Sequence, residues 1–159
     1  MFNWIKRQRS SRGFGIHSPF AYDFVINVLR ERCLYYAYSN IEGHDNRLIY
    51  RIALHLHPSE VCCGGMIYDF KNDIPVCDSR TDRFPFYIIS KSAGLSSFTL
   101  ISPQYVAVFL GIDNDKELKD RFEGMKNDLH GYGMAFYNPH RAVIVADKNL
   151  PRQDFRINF

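Results

Sequence analysis

The sequence predicts an α/β or α+β domain, two or three layers deep around a mixed sheet. Three features predict it. Two helical patterns lead the chain, apolar runs of strand length then dominate, and the last third reads as strand, helix and hairpin. A length of 159 residues suits one domain, 1–159, and is enough to bury a core. Hydrophobic residues make up 46% and charged residues 23%, which excludes a disordered chain. Aromatics reach 15%, almost all Phe and Tyr, so large side chains are at hand to fill a core, line a pocket or cover an interface.

The first helix is announced by Ser18-Pro19. Ser18 can accept from the free N–H groups of a first turn, and Pro19 suits a position whose N–H is not needed. Phe20, Phe24 and Val28 then recur at helical spacing to about Arg32. His17, just before, reads as an anchor bonded to nearby backbone rather than a base. Cys33 to Tyr38 either prolongs the helix or packs as a turn, and residues 40–46 read as a polar loop. Leu48, Ile49, Ile52, Ala53 and Leu56 mark a second helix over 47–57, which Pro58 ends. Residues 1–45 thus form an arm and helical cap, and 46–159 a core.

Glu60-Val61-Cys62-Cys63-Gly64-Gly65 reads as a short strand stopped by glycines, the place where a nucleotide-like cofactor would approach backbone closely. Residues 74–78 suggest an edge strand because of Pro75. Residues 84–90 and 96–101 are further strand candidates. Tyr105 to Ile112 is nearly all apolar, as a strand buried on both faces should be. Asp113, Asn114 and Asp115 offer caps for a helix over 116–129. Asp113, Asp115 and Glu117 have the chemistry of hard-metal ligands, but at a helix start capping is the simpler role. Gly131 and Gly133 break that helix. Met134–Tyr137 and Ala142–Ala146 pair through Asn138-Pro139-His140-Arg141, and 154–159 reads as a last strand. His130 and His140 flank these turns with no spacing that selects them as catalytic. Arg152 and Arg156 suit either carboxylate partners or a solvated strand edge.

The net charge of +3 is concentrated at Lys6, Arg7, Arg9 and Arg12. Such an arm can contact phosphates or anionic lipid, but nucleic-acid recognition usually adds a wider basic face, so nucleic acid is not expected as a partner. Cys33, Cys62, Cys63 and Cys77 form no C-x-x-C pair, and metal binding with His55 or His57 is disfavoured by spacing. They read as reduced thiols in a cytoplasmic protein. No signal-peptide pattern appears, nor any apolar run of the ~18–20 residues a membrane span needs.

Three segments together resemble a known family. RGFGIHSPFAYDFVINVL (12–29) is similar to the opening of bacterial class I S-adenosylmethionine-dependent methyltransferase-like proteins, where an RxGxHSPF motif leads into the first helix. NRLIYRIALHLHPSEVCCGG (46–65) resembles their next helix and first core strand. The tail from Tyr105 to KNLPRQDFRINF (148–159) resembles their late strand, helix and final hairpin. The resemblance implies a Rossmann-like methyltransferase sheet with N-terminal helices and a C-terminal strand–helix–hairpin, and S-adenosylmethionine at the carboxyl ends of the strands. It assigns cofactor contacts to Gly64, Gly65 and Asp78.

The sequence departs from that pattern. Cys63 stands where relatives carry an acid, and no later glycine is present between Gly65 and the next strand. Asp78 comes early for the usual ~20-residue spacing of the ribose-binding acid. Leu110-Gly111 replaces a late pair of aspartates. Between the glycine turn and Tyr105 lie 39 residues (66–104). At ~10–15 residues for each strand–helix unit, that is short by one strand and at least one helix, so the sheet is expected to be truncated.

The residues support three functional readings. The first is a degenerate, non-catalytic methyltransferase-like domain serving as a binding or structural protein. The second is an active small methyltransferase using Gly64, Gly65 and Asp78, since methyl transfer to a soft nucleophile proceeds largely by proximity. The third is a nucleic-acid or membrane-surface module using the basic arm. No catalytic residue is singled out, and the cofactor is S-adenosylmethionine or none. A shortened sheet would also leave an open edge or face that a homodimer could cover.

Overall fold

The computed structural model describes residues 15–31, 41–64, 84–90 and 102–159. Helix α1 (Pro19–Asp23) starts as its sequence requires. Ser18 Oγ accepts from the Ala21 N–H at 3.3 Å, and Pro19 occupies the first helical position. The α-helical winding does not run on to Arg32. Residues Phe24–Leu29 are π-helical, and Arg30 N–H donates to the Val25 carbonyl at 3.0 Å. The wider turn keeps Phe24, Val25, Val28 and Leu29 all in the core.

Helix α2 (His44–Leu56) begins three residues earlier than the pattern predicts, taking in part of the expected loop 40–46. The polar residues that suggest a loop instead bond the entry to the helix. Asn46 donates to the Glu42 carbonyl at 2.9 Å and Arg47 Nε to the Ile41 carbonyl at 2.8 Å. Asp45 in the first turn suits the positive end of the helix. At the other end His57 takes a left-handed conformation (φ 49°) and donates its N–H to the Ala53 carbonyl. Pro58 disfavours the α region for the residue before it, which stops the helix there.

The rest of the chain supplies six strands: β1 (Glu60–Gly64), β2 (Pro85–Ile89), β3 (Tyr105–Leu110), β4 (Met134–Tyr137), β5 (Arg141–Ala146) and β6 (Gln153–Arg156), with helix α3 (Lys116–Asn127) between β3 and β4. They form one mixed sheet in the order β1-β2-β3-β5-β4-β6. β1, β2 and β3 are parallel, β5 runs antiparallel to both β3 and β4, and β6 is parallel to β4. Ser59 fixes the start of β1 against β2, accepting from Phe84 N–H at 2.9 Å and donating its own N–H to the Phe84 carbonyl. β2 and β3 are buried along their whole length, as near-continuous apolar strands between two layers should be. β3 stops two residues short of the predicted end because Gly111 (φ 77°) turns the chain away, and β6 is centred earlier than the expected 154–159. The strand candidates 74–78 and 96–101, the segment 33–38 and the basic residues of the arm lie outside the described residues.

Alternate strand residues face two cores. On one side Phe86, Ile88, Val106, Val108, Phe136 and Val143 pack with Phe24, Leu48 and Ile52 of the N-terminal helical layer. Here the Phe136 ring lies 5.1 Å from those of both Phe24 and Phe155. On the other side Tyr87, Ile89, Ala107, Phe109 and Ile144 pack with Leu118, Phe122 and Met125 of α3. The Phe109 and Phe122 rings meet edge to face at 5.6 Å. The result is three layers with the sheet in the middle. Among the described residues β1 and β6 each pair on one side only, and no helix is long and apolar enough to cross a membrane.

Candidate functional site

The register of the sheet sets the carboxyl ends of β1, β2, β3, β4 and β6 along one edge: Gly64 pairs with Ile89, Ile89 with Phe109, and Tyr137 with Arg156. Antiparallel β5 begins on the same edge, Arg141 pairing with Leu110. In open α/β sheets this is the edge at which ligands bind. Gly64 stands at it, closing β1 as the strand-to-glycine pattern predicts. Gly65 and Asp78 lie outside the described residues. Cys62 is half-buried and packs against the α3 side of the sheet as a reduced thiol.

Further along this edge a cleft of about 820 Å³ opens between α3 and the β4–β5 hairpin. Ile112, Asp113 and Asn114, which follow the Gly111 turn, form its near wall. The Gly111 and Ile112 N–H groups both donate to the His140 carbonyl, at 2.8 and 3.1 Å, joining the β3–α3 loop to the hairpin turn. Asp115 then caps α3, its Oδ1 accepting from Leu118 N–H at 3.1 Å, so capping is the role the structure gives it. Lys116 and Lys119, three residues apart on the helix, line the cleft from one side, and Arg156 of β6 lines it from the other. Tyr137 and Phe122 form the floor, their ring centroids 5.6 Å apart. Lys126 sits over both rings, at 5.0 and 5.4 Å, and pairs with Glu123. Outside the lining, Arg152 Nη2 donates to the Lys126 carbonyl at 3.1 Å while also pairing with Asp154, which ties the start of β6 to α3.

The hairpin turn is held from within by Asn138, a buried polar side chain. Its Oδ1 accepts from the N–H groups of His140 and Arg141, both at 2.8 Å, and its Nδ2 donates to the Phe159 carbonyl at 3.1 Å. Arg141 ties the turn to the helical layer, donating from Nε to Asp45 at 2.6 Å and from Nη1 to Phe159 O at 3.1 Å. At the rim, His140 Nδ1 and Asp113 Oδ2 are 2.7 Å apart. That bond holds the Asp113 carboxyl below its ordinary range, which makes the carboxylate the acceptor and Nδ1 the donor. On the helical side, burial together with the charges of Arg141 and Arg51 pushes His44 below its ordinary value.

The sequence pattern gives His140 no role and leaves Arg156 between a partner and solvent. It does not single out Lys116, Lys119 or Tyr137 at all. The available signal is the strand–helix–hairpin order, which brings a helix start and a hairpin turn to the same sheet edge. Among the described residues no group of three or more His, Cys, Asp or Glu side chains is placed to hold a metal ion. Compared with family models, with curated proteins and with solved structures, the chain matches none.

Proposed function

We propose that this chain is a reduced S-adenosylmethionine-dependent methyltransferase-like domain that has lost its cofactor half and acts as a non-catalytic binding domain. One observation carries the proposal. β1 and β2 are direct parallel neighbours, and residues 65–84 alone connect them. A crossover between parallel strands takes a dozen or more residues, so this length suits one crossover and is short for further strand–helix units. In a doubly wound sheet the ligand crevice lies where the strand order reverses, with strands on both sides of the first. From β1 to β3 the order runs one way, and among the described residues β1 has no neighbour on its outer side. Among the described residues Gly64 therefore ends a strand at the right edge of a crevice with a wall on one side only.

The other half of the sheet supports the family reading itself. β3, α3 and the β4–β5 hairpin, with antiparallel β5 set between β3 and β4, have the late strand, helix and hairpin that the resemblance implies. Calorimetric titration with S-adenosylmethionine and S-adenosylhomocysteine tests the proposal. The expected result is no heat at millimolar ligand. Micromolar binding that weakens in Gly64→Val and Asp78→Ala would instead support an active small methyltransferase.

A further inference from the structure

We infer that the cleft between α3 and the β4–β5 hairpin is a binding site for a small phosphate ester carrying a planar ring. The inference rests on the binding-domain part of the reading above and not on the loss of the cofactor. Gly64 on β1 is four strands away from β4, roughly 19 Å at the usual strand spacing.

Charge is the deciding feature. Lys116 and Lys119 approach from α3 and Arg156 from β6, and among the described residues none of the three side chains has a hydrogen-bond or ion-pair partner. The two acids on the cleft walls are both engaged, Glu123 by Lys126 and Asp113 by His140. Three cations from two elements thus converge on one concavity whose two acids are each already held by another side chain. Such an arrangement is self-repelling when empty and complementary to a dianion. A guanidinium fork opposite two ammonium groups suits a phosphate, which offers oxygens to both kinds of donor.

The topology explains why the space exists. Side chains of β3, β5 and β4 pack under α3, but no residue of β6 joins that core. Arg156 pairs in register with Tyr137, so it stands on the helix side of the sheet just beyond the helix. A volume of about 820 Å³ is larger than a phosphate group needs, and besides the amides of Asn114 and Asn138 the remaining lining offers apolar surface from Ile112, Phe122 and Pro139 with the Tyr137 ring. Among the described residues the Tyr137 hydroxyl also has no hydrogen-bond partner, leaving it a donor for an ester oxygen.

The test is titration of the full chain with phenyl phosphate, inorganic phosphate and benzoate, monitored by amide chemical shifts. Phenyl phosphate is expected to saturate, to bind more tightly than either of the others, and to weaken as salt is added. Lys119→Glu and Arg156→Glu should each raise its Kd by about tenfold or more, the loss of a charge-assisted hydrogen bond. Lys148→Glu, an exposed change at the opposite edge of the sheet, should leave Kd unchanged. Both reversals are at exposed positions, and coincident thermal melts would show that the fold is retained. Absence of saturation at millimolar phenyl phosphate would overturn the site, as would an equal loss in Lys148→Glu. Benzoate binding as tightly would overturn the phosphate class, and inorganic phosphate binding as tightly would overturn the ring. S-adenosylmethionine binding in the separate titration would contradict the cofactor loss and leave this cleft standing.

Discussion

Asn138 shows how a single buried amide fixes the end of a sheet. All of its hydrogen bonds run to main-chain groups, two across the hairpin turn and one to the chain end at Phe159. Asn138→Ala leaves those groups without their partner and is expected to cost about 2 kcal/mol, read as a lower urea midpoint with an unchanged slope. Gly133 is constrained differently. Its φ is +84°, and a Cβ there would lie 2.9 Å from the Val145 carbonyl oxygen, so Gly133→Ala meets both backbone strain and a clash with the neighbouring strand. The expected loss is about 2 kcal/mol or more. Gly111 has a similar φ but open space around it, so the same substitution there carries the strain alone.

Titrating residues set the pH range of the fold. Burial raises the Tyr105 phenol to about 12, with Tyr132 and Asp128 nearby adding to the effect. The unfolded chain ionises at its ordinary value near 10, so stability is full below that pH and declines as pH rises through 10 towards 12. Tyr105→Phe should flatten this alkaline limb in a series of urea melts. On the acid side the signs reverse. His44 and His55 are lowered, chiefly by burial, so the unfolded chain takes up protons first and stability falls as pH drops below about 6.5. Asp113 is lowered by its bond to His140 and adds a second decline at lower pH, as its carboxylate protonates. Asp113→Asn should remove that second step and leave the first.

At the scale of elements, α3 answers its capping signal most clearly. Asp115 accepts from Leu118 N–H, and Asp115→Ala should destabilise the protein by about 1 kcal/mol. Because Lys116 and Lys119 sit on the first turns of the same helix, the substitution should also weaken binding in the cleft, which the phenyl phosphate titration would register. The strands are legible in the sequence because apolar runs bounded by glycine and polar turns admit few alternatives: the run expected over 105–112 is a strand over 105–110, and those expected over 134–137 and 142–146 are strands over 134–137 and 141–146. Helix starts are less so. His44, Asp45 and Asn46 are polar and read as loop, yet Asn46 and Arg47 satisfy the preceding carbonyls and let α2 begin a turn early. The π-helical stretch of Phe24–Leu29 leaves no mark in a pattern read at 3.6 residues per turn, since the same apolar residues serve both windings. The cleft is illegible for another reason. Its cations come from α3 and β6, with the whole hairpin between them in sequence, and only the pairing of β6 with β4 brings Arg156 across from Lys119.

At the scale of the whole molecule, the sheet of the described residues has unequal halves. Its hairpin side is covered on both faces and tied across layers by the Arg141–Asp45 pair, while among the described residues β1 pairs with β2 alone. An edge strand offers unpaired backbone groups, which is where a second copy would add if the protein dimerises. Sedimentation across a tenfold range of concentration would show a mass that doubles, and a constant monomer mass would contradict that arrangement. On the proposed function, ligand binds at the hairpin end of the carboxyl edge and not at its glycine end. Amide chemical shifts on one sample, recorded with S-adenosylmethionine and then with phenyl phosphate, test it most directly. The expected outcome is no shifts from the first ligand, and from the second a cluster confined to 111–123 and 137–141 with Arg156. Shifts centred on Gly64 with S-adenosylmethionine, and none in the cleft with phenyl phosphate, would contradict it.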